Sequence, residues 1–556
     1  MKTISKLMLG AMACGLFACS SDEPVADIVT PSSSEGDVYA AITLNLTTRS
    51  TTVDPEDSSD GTEVGTLAEN NVDKILVVLA TANSGSYDYV TAAYEESQRN
   101  NNASEPTYVV RFESQALAAK AEETVYVFTY CNPKSNVVDY FFDFTDGKYV
   151  AKDNVASFQD AVLKNADGNI WGDNQFLMTN YELCSKTLPS LETLTTVYNK
   201  AENPFDLGTI QVQRVAARFD IGQKPAADGL AANTYAITDP VNGLHVANIT
   251  IDGIALFNQA NDFYAFRHTS ADGTDANWIL CGKDIPTNYV VSPYFANMRQ
   301  GIGTWISDSY TDALYAGASI KAPESYTFTA LSSLSGDDNH DAVNGFNAGY
   351  TPWRYTTPNT IPAALNASDS YNGAQLKGYT TGVIYRGFIS AVEVEGNEKL
   401  VAAMNDGDVL YAFDGVIYGD KEMLAAYVKD HPESGVARGF AQAGFDAENL
   451  QDLTAAAGGF TIYRPAADGK YYVYYYYYNQ HNNRPNDTLF PMEFGVVRNN
   501  VYKLTVDNIY KFGHPGDPDD DDDPEDPEDP DEDEETFFKV SVKVLPWVVR
   551  INNIEF

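Results

Sequence analysis

Alternating apolar and polar positions predict short β-strands along most of the chain. One such run lies near the N-terminus, over residues 38–49. Its apolar side chains recur at every second position and share one face: Ala40, Ile42, Leu44 and Leu46. Threonine and asparagine side chains occupy the opposite face. A period of two with β-branched residues predicts a half-buried strand.

Two more alternating runs end the chain. The apolar positions of the first run are Phe538, Val540, Val542 and Val544. Pro546 predicts a break in this run. The apolar positions of the second run are Trp547, Val549 and Ile551. A strand with this pattern must pair either with its own domain or with another chain.

The middle of the chain contains many strand patterns separated by Gly, Pro, Asn and Asp turns. The clearest strand patterns cover 74–79, 108–112, 124–130, 211–221, 248–251, 382–385, 471–478 and 496–506. Helical patterns are few, and the two candidates are 158–163 and 423–428. This arrangement favours an all-β fold of two β-sandwiches with few short helices. We expect the boundary near 215–222, with long loops over 305–380 in the second domain.

Composition and charge narrow the choice of function. The chain has 556 residues, 36 basic and 78 acidic, and its net charge of −42 excludes a general attraction to nucleic acid. Between residues 517 and 535 every position is Asp, Glu or Pro. Such a segment repels itself and predicts an extended tether that reaches roughly 60 Å. Weak cation binding by this run is the less favoured alternative to a solvated hinge.

The N-terminus predicts a targeting segment. Lys2 and Lys6 precede an apolar run, residues 7–17, that is too short to span a bilayer. The run ends in Leu-Phe-Ala-Cys, which predicts a lipoprotein signal over 1–19 with lipidation of Cys19. The alternative is an ordinary signal peptide with a chance cysteine. Three cysteines follow the signal, and they are expected to be buried thiols: Cys131, Cys184 and Cys281.

No motif predicts an enzyme, a cofactor or a metal site. The six histidines lack metal-ligand spacing, and we interpret each as a surface or loop residue. The tyrosine run at 474–478 leaves two interpretations open. It predicts either a sugar-binding surface or, preferably, a sandwich strand with one face in the core and the other covering the surface. In the sugar-binding alternative Tyr475 and Tyr477 would stack on the ligand.

Several stretches together resemble a known family. They are the Cys19 signal, the strand that ends at Arg49, and the segments 213–220, 255–258, 492–504 and 542–547. In their order and spacing they resemble the fimbrillins of Bacteroidales type V pili, in particular the major shaft subunit of the short (minor) fimbriae. The resemblance covers essentially the whole chain and is strongest over 490–556.

The resemblance implies a fold and an assembly route. Members have two transthyretin-like Greek-key sandwiches, here expected over 50–217 and 218–516, and are exported as palmitoylated outer-membrane lipoprotein precursors. An arginine-specific extracellular protease would cleave between Arg49 and Ser50 and remove the propeptide, residues 20–49. The opened groove of the N-terminal domain would then accept a donor strand from 537–556 of a neighbour, carried on the tether 517–536. The resemblance does not indicate which of the two C-terminal runs fills the groove.

The resemblance also implies partners and a location. The mature protein would lie in an extracellular fimbrium on the cell surface and would support adhesion, biofilm formation and virulence. Its expected partners are identical subunits, fimbrial tip and anchor proteins, the protease, and a host or bacterial surface receptor. Two alternatives remain open: a glycan-binding surface lipoprotein, and an accessory tip or anchor adhesin.

Overall fold

The computed structural model describes residues 36–45, 63–96, 106–164, 170–172, 175–239, 243–283, 287–295, 326–334, 349–363, 379–445, 458–482, 491–516 and 538–548. These residues form mostly β-strands with few helices, which confirms the all-β prediction. The transthyretin-like Greek-key description stays a prediction. Among the described helices, none is both long and apolar enough to cross a membrane.

The first part of the chain builds one large sheet. Its strands and their neighbours are β1 Asp37–Asn45, β2 Glu63–Val64, β3 Lys74–Asn83, β4 Ser86–Glu96, β5 Thr107–Glu113, β6 Thr124–Cys131, β7 Phe142–Thr145, β8 Lys148–Ala151, β9 Val162–Lys164, β10 Met178–Asn180, β11 Cys184–Thr187 and β12 Phe205–Arg214. The order in the sheet is β4-β3-β6-β10-β12-β1-β5, and β11 also pairs with β6. Strand β1 is therefore an inner strand, although it comes first in the chain.

The rest of the chain builds two five-stranded sheets and several small ones. Its strands are β13 Ala217–Gly222, β14 Thr234–Thr238, β15 His245–Phe257, β16 Asp262–Tyr264, β17 His268–Ser270, β18 Ile279–Leu280, β19 Tyr289–Val290, β20 Thr329–Ala330, β21 Tyr350–Thr356, β22 Asn359–Thr360, β23 Gly382–Ala391, β24 Leu410–Phe413, β25 Val416–Ile417, β26 Phe460–Tyr463, β27 Tyr471–Tyr478, β28 Gly495–Val496, β29 Asn500–Ile509 and β30 Phe538–Val548. One sheet has the order β2-β30-β29-β13-β21, and the other has β14-β15-β23-β27 with β20 beside β15.

The helices are short and lie between strands. They are α1 Leu67–Asn70, α2 Ser114–Ala118, α3 Ser135–Phe141, α4 Leu191–Thr196, α5 Glu398–Asp406, α6 Lys421–Asp430 and α7 Gly435–Gln442. Helix α6 contains the helical pattern predicted at 423–428, and its N-cap Asp420 accepts a hydrogen bond from Met423 N. The helix predicted at 158–163 is wrong. That segment forms one 3₁₀ turn, Phe158–Asp160, and the start of β9.

The chain passes from one hydrophobic core to the next between β12 and β13. Val215 and Ala216 belong to the first core, and Ala217 belongs to the second. The first core also receives Phe266 and Cys281, which follow β15 in sequence. Strand β16 pairs with β9 across the same junction. The two halves therefore share side chains and backbone pairing, and the limits 50–217 and 218–516 stay predictions.

Candidate strand-exchange site

Strand β1 fills a slot between β5 and β12. It pairs antiparallel with β5 from Asp37↔Glu113 to Thr43↔Thr107. On its other edge it pairs parallel with β12, and the register shifts between Ala41 and Thr43. Without β1, the edges of both neighbours would be unpaired. Open edges of this kind are templates for another strand.

The core face of β1 is fully buried. Val38, Ala40, Ile42 and Leu44 are each at most 2% exposed and belong to the first core. Three of the four residues predicted for the removed strand, Ala40, Ile42 and Leu44, are in this group. Leu46 lies outside the described residues, and Val38 was not predicted. Alternation of apolar side chains therefore identifies the strand and three of its core residues but not Val38.

The outer face of β1 is more buried than a half-buried strand predicts. Tyr39 is 0% exposed, and its backbone N–H donates a hydrogen bond to Tyr198 O at 2.8 Å. Burial raises the pKa of Tyr39. Asp37, at the start of the strand, pairs with Arg111 on β5 at 3.1 Å between Oδ1 and Nη1. A replacement strand therefore has to satisfy a covered face as well as the core face.

Five of the seven predicted donor residues lie in one strand, which pairs with the second half of the chain. Strand β30 contains Phe538, Val540, Val542, Val544 and Trp547, and it pairs antiparallel with β29. The predicted break at Pro546 is wrong, because the strand continues through this residue to Val548. Beyond Pro546, β30 pairs on its other edge with the two residues of β2. Val549 and Ile551 lie outside the described residues.

The start of β30 packs on its own domain. Phe538 and Val540 are half-buried against the second core. The ring centroid of Phe538 lies 5.1 Å from that of Tyr475 and 5.8 Å from that of Tyr385. In this chain, both the slot and the C-terminal strand are therefore satisfied within one molecule. Cys19, Arg49 and Ser50 lie outside the described residues.

The tyrosine strand β27 offers little surface to a ligand. Tyr471, Tyr475 and Tyr477 face the second core, and Tyr474, Tyr476 and Tyr478 face a separate cluster around Phe257. All six are at most 9% exposed. The prediction that one face covers the surface is therefore wrong, because both faces are packed against side chains. Tyr475 and Tyr477 present no open ring to a sugar.

Two histidines correct the surface interpretation. His268 is 1% exposed and stacks on Trp278, with ring centroids 3.9 Å apart. His481 is buried and lies 2.8 Å from Tyr502 Oη through Nδ1. Burial lowers the pKa of His268 to about 4 and that of His481 to about 3. Within the described ranges, no three His, Cys, Asp or Glu side chains cluster in a way that could hold a metal.

The cysteines follow the prediction only in part. Cys131 and Cys281 are buried free thiols, whereas Cys184 is only half-buried. Burial raises the pKa of the Cys281 thiol to about 12 and also raises that of Cys184. Cys184 begins β11, which pairs with β6, and its Sγ lies 4.0 Å from Leu207 O on β12.

Comparison with known proteins identifies the C-terminal part of the chain. Residues 469–553 match the family described as major fimbrial subunit protein type IV, fimbrillin, C-terminal. This segment contains β27, β29 and most of the predicted donor run. The match bears out the resemblance to fimbrillins over this segment. No protein among the curated sequences compared matches the chain.

Solved structures with related descriptions are distant. A candidate cell adhesion protein from Parabacteroides distasonis ATCC 8503 is 12% identical, with 93% of this chain and 98% of that chain covered and a TM-score of 0.40. A fimbrilin from Porphyromonas gingivalis W83 is 12% identical, with 92% and 98% covered and a TM-score of 0.34. The tip fimbrial protein Mfa3 from Porphyromonas gingivalis is 10% identical, with 92% and 100% covered and a TM-score of 0.32.

Proposed function

From the fimbrillin match at its C-terminal end, we propose that this protein is a structural shaft subunit of a cell-surface fimbrium. It is exported as a precursor that is lipidated at Cys19. A protease that cuts after Arg49 removes residues 20–49, and the mature chain that begins at Ser50 polymerises head to tail by strand exchange. The protein is non-enzymatic in this proposal.

The observation that carries the proposal is the position of β1. A strand that ends four residues before Arg49 is an inner strand of the sheet, and its core side chains are at most 2% exposed. Proteolysis after Arg49 would therefore cut just beyond a plug and leave an apolar slot. A monomer with such a slot and two open strand edges is prone to take up a strand from another chain.

The energy of refilling the slot favours assembly. Burial of the three larger side chains on the core face of β1, Val38, Ile42 and Leu44, corresponds to roughly 5–9 kcal/mol at about 1.5–3 kcal/mol each. A donor strand recovers a comparable gross amount and adds backbone hydrogen bonds, against the cost of ordering the donor. In the precursor β1 already occupies the slot within the same molecule, so the donor gains nothing.

The direction of exchange produces a filament. The slot lies in the first half of the chain, and the donor run is its C-terminal segment. Each subunit therefore has one slot and one donor run. Contact between two different surfaces of identical subunits does not close on itself and generates an open polymer. The acidic tether over 517–536 gives the donor run the reach to leave its own domain. A tip or anchor subunit would lack one of these two features, which favours the shaft over an accessory role.

Removal of the cleavage residue tests the proposal. The Arg49→Ala variant should stay lipidated and monomeric, because β1 keeps the slot filled. Arg99→Ala is the matched control, since it removes another arginine from a polar segment and should leave processing and assembly intact. SDS-resistant ladders from Arg49→Ala as abundant as those from the control would contradict the proposal.

A further inference from the structure

The segment Glu63–Asn70 lies where the two halves of the molecule meet. Its first two residues form β2, which pairs in parallel with the end of β30: Glu63 with Trp547 and Val64 with Val548. Helix α1 follows directly, and β3 then begins in the large sheet. This segment therefore joins the first domain to the C-terminal strand.

A capping box fixes the middle of the segment. Thr66 N donates to Glu69 Oε2 at 2.6 Å, and Glu69 N donates to Thr66 Oγ1 at 3.2 Å. These reciprocal bonds satisfy two donors at the start of α1. They also fix the direction in which the Glu69 carboxylate points.

The Glu69 carboxylate is buried among groups from the second half of the chain. It is 1% exposed, and its Oε1 accepts hydrogen bonds from Arg218 Nη1 at 2.8 Å and Tyr355 Oη at 2.7 Å. Arg214 Nε donates to the backbone carbonyl of Glu69 at 3.0 Å. Burial alone would raise the pKa of Glu69, but Arg218 and Arg214 outweigh it and lower the pKa to about 2.

The network of buried charged side chains extends to β29, the strand that pairs with β30. Arg218 donates to both carboxylate oxygens of Asp220, at 2.7 and 2.8 Å. Lys503 Nζ lies 3.5 Å from Asp220 Oδ2, and both side chains are at most 2% exposed. Lys503 is on β29, where it pairs with Lys543 of β30. A continuous buried network thus runs from the segment 63–70 to the sheet that carries the C-terminal strand.

We propose that residues 63–70 form a junction clamp that holds the end of β30 on its own domain, with Glu69 as its positioning residue. A two-residue parallel pairing is too short to hold a strand by itself, so its persistence depends on the anchor that follows it. The buried Glu69–Arg218 pair is such an anchor, because separation of the two leaves an uncompensated buried charge.

The clamp has a consequence for assembly that rests on the proposed function. Arg49 precedes the clamp in sequence, so cleavage there removes β1 and leaves the clamp in place. The mature subunit then has an open slot but a restrained C-terminal strand. The clamp limits how fast β30 leaves and therefore how fast subunits exchange strands.

Hydrogen exchange measured by mass spectrometry on the unprocessed chain tests the clamp. Glu69→Gln keeps the shape of the side chain and one acceptor oxygen but removes the charge. We expect amides of β30 to exchange about tenfold faster in this variant, whereas those of β6 and β15 change less than twofold. Glu398→Gln is the matched control. It alters an exposed glutamate that accepts hydrogen bonds from Gly396 N at the start of a helix.

A second comparison keeps the test informative if Glu69→Gln unfolds. The mature form that begins at Ser50 is compared with a form that begins at Gly65 and lacks β2. We expect faster exchange in β30 and faster polymer growth from the shorter form. Unchanged exchange in β30 in the shorter form, or a change of less than twofold in β30 of a Glu69→Gln chain that stays folded, would overturn the clamp.

The same data separate the clamp from the proposed function. Faster exchange in β30 without any polymer from either form supports the clamp and contradicts the shaft proposal. Polymers that grow equally fast from both forms, with unchanged exchange in β30, support the shaft proposal and contradict the clamp.

Discussion

Arg111 Nη1 on β5 lies 3.1 Å from Asp37 Oδ1 on β1. The strand that fills the slot therefore also supplies a carboxylate that pairs with an arginine of the neighbouring strand β5. Glu95, on β4, also interacts electrostatically with Arg111. Removal of residues 20–49 would take Asp37 away and leave Glu95 as a carboxylate that acts on this arginine. The proposed processing would therefore change the charge of the slot as well as its shape.

Glu95 should make the stability of the precursor depend on pH. Burial raises its pKa from 4.5 to about 7, with Arg111 opposing the shift. The pKa of Glu95 is higher in the folded chain than in the unfolded chain. The stability that the protonated Glu95 side chain contributes is therefore fully present below about pH 4.5, and it is lost as the pH rises through 7. Glu95→Gln should raise the melting temperature at pH 8 by about 2–4 °C and change it little at pH 4.

The exposed neighbour Glu96 supplies the control for that measurement. Glu96→Gln alters the same strand without a buried carboxylate and should leave the difference between pH 4 and pH 8 as in the unaltered chain. An unchanged pH dependence in Glu95→Gln would contradict the assignment of the effect to Glu95.

Core residues of β1 should matter only before processing. Ile42→Ala removes a 0% exposed side chain from the first core and should lower the free energy of unfolding of the precursor by about 2–5 kcal/mol. After cleavage at Arg49 the altered residue is gone, so the mature protein should melt like the unaltered one. Thr43→Ala, which alters a half-buried residue of the outer face, should cost less than about 1 kcal/mol. A lasting defect in the mature Ile42→Ala product would show that β1 is retained.

Thiol labelling should separate the three cysteines of the mature chain. Cys184 is half-buried, whereas Cys131 and Cys281 are buried and their thiol pKa values are raised by burial. Since the thiolate is the reactive form, Cys184 should react first with a disulfide reagent at pH 8. Cys184→Ser should abolish the early phase, which is followed by absorbance. Equal labelling of all three native thiols would contradict the described burial.

The buried arginine at the junction should not tolerate lysine. Arg218 contacts both oxygens of Asp220 and also Glu69, and a lysine cannot reproduce that geometry. Arg218→Lys should lower the free energy of unfolding by roughly 2–4 kcal/mol. Arg354→Lys, at an exposed position of β21, should change it by less than about 0.5 kcal/mol. Urea unfolding of the three chains measures the difference.

Local sequence patterns predict which segments form strands better than they predict what packs against those strands. A period of two identified β1 and β30 because each has an apolar face along its own length. The pattern does not predict the burial of Tyr39, because Tyr198, whose backbone carbonyl accepts a hydrogen bond from Tyr39 N, is far away in sequence. The strand through Pro546 was missed for a related reason: β29 supplies the pairing that the proline disfavours locally. The burial of His268 depends in the same way on distant residues.

The candidate site was predictable only in outline. A strand beside Arg49 and a C-terminal strand pattern are visible in the sequence. The buried pair of Glu69 and Arg218 joins residues 149 positions apart. No periodicity or motif links such residues, because side chains of this kind meet only after both sheets have formed. The junction clamp could therefore be found only from the structure.

Peptide mapping of subunits dissociated from purified fibres tests the central claim most directly. N-terminal sequencing in the same sample locates the start of the chain. Subunits should begin at Ser50 and lack every peptide from residues 36–45, because β1 has left the slot. Subunits that carry Ile42 and Leu44 in amounts equal to the rest of the chain would contradict the account.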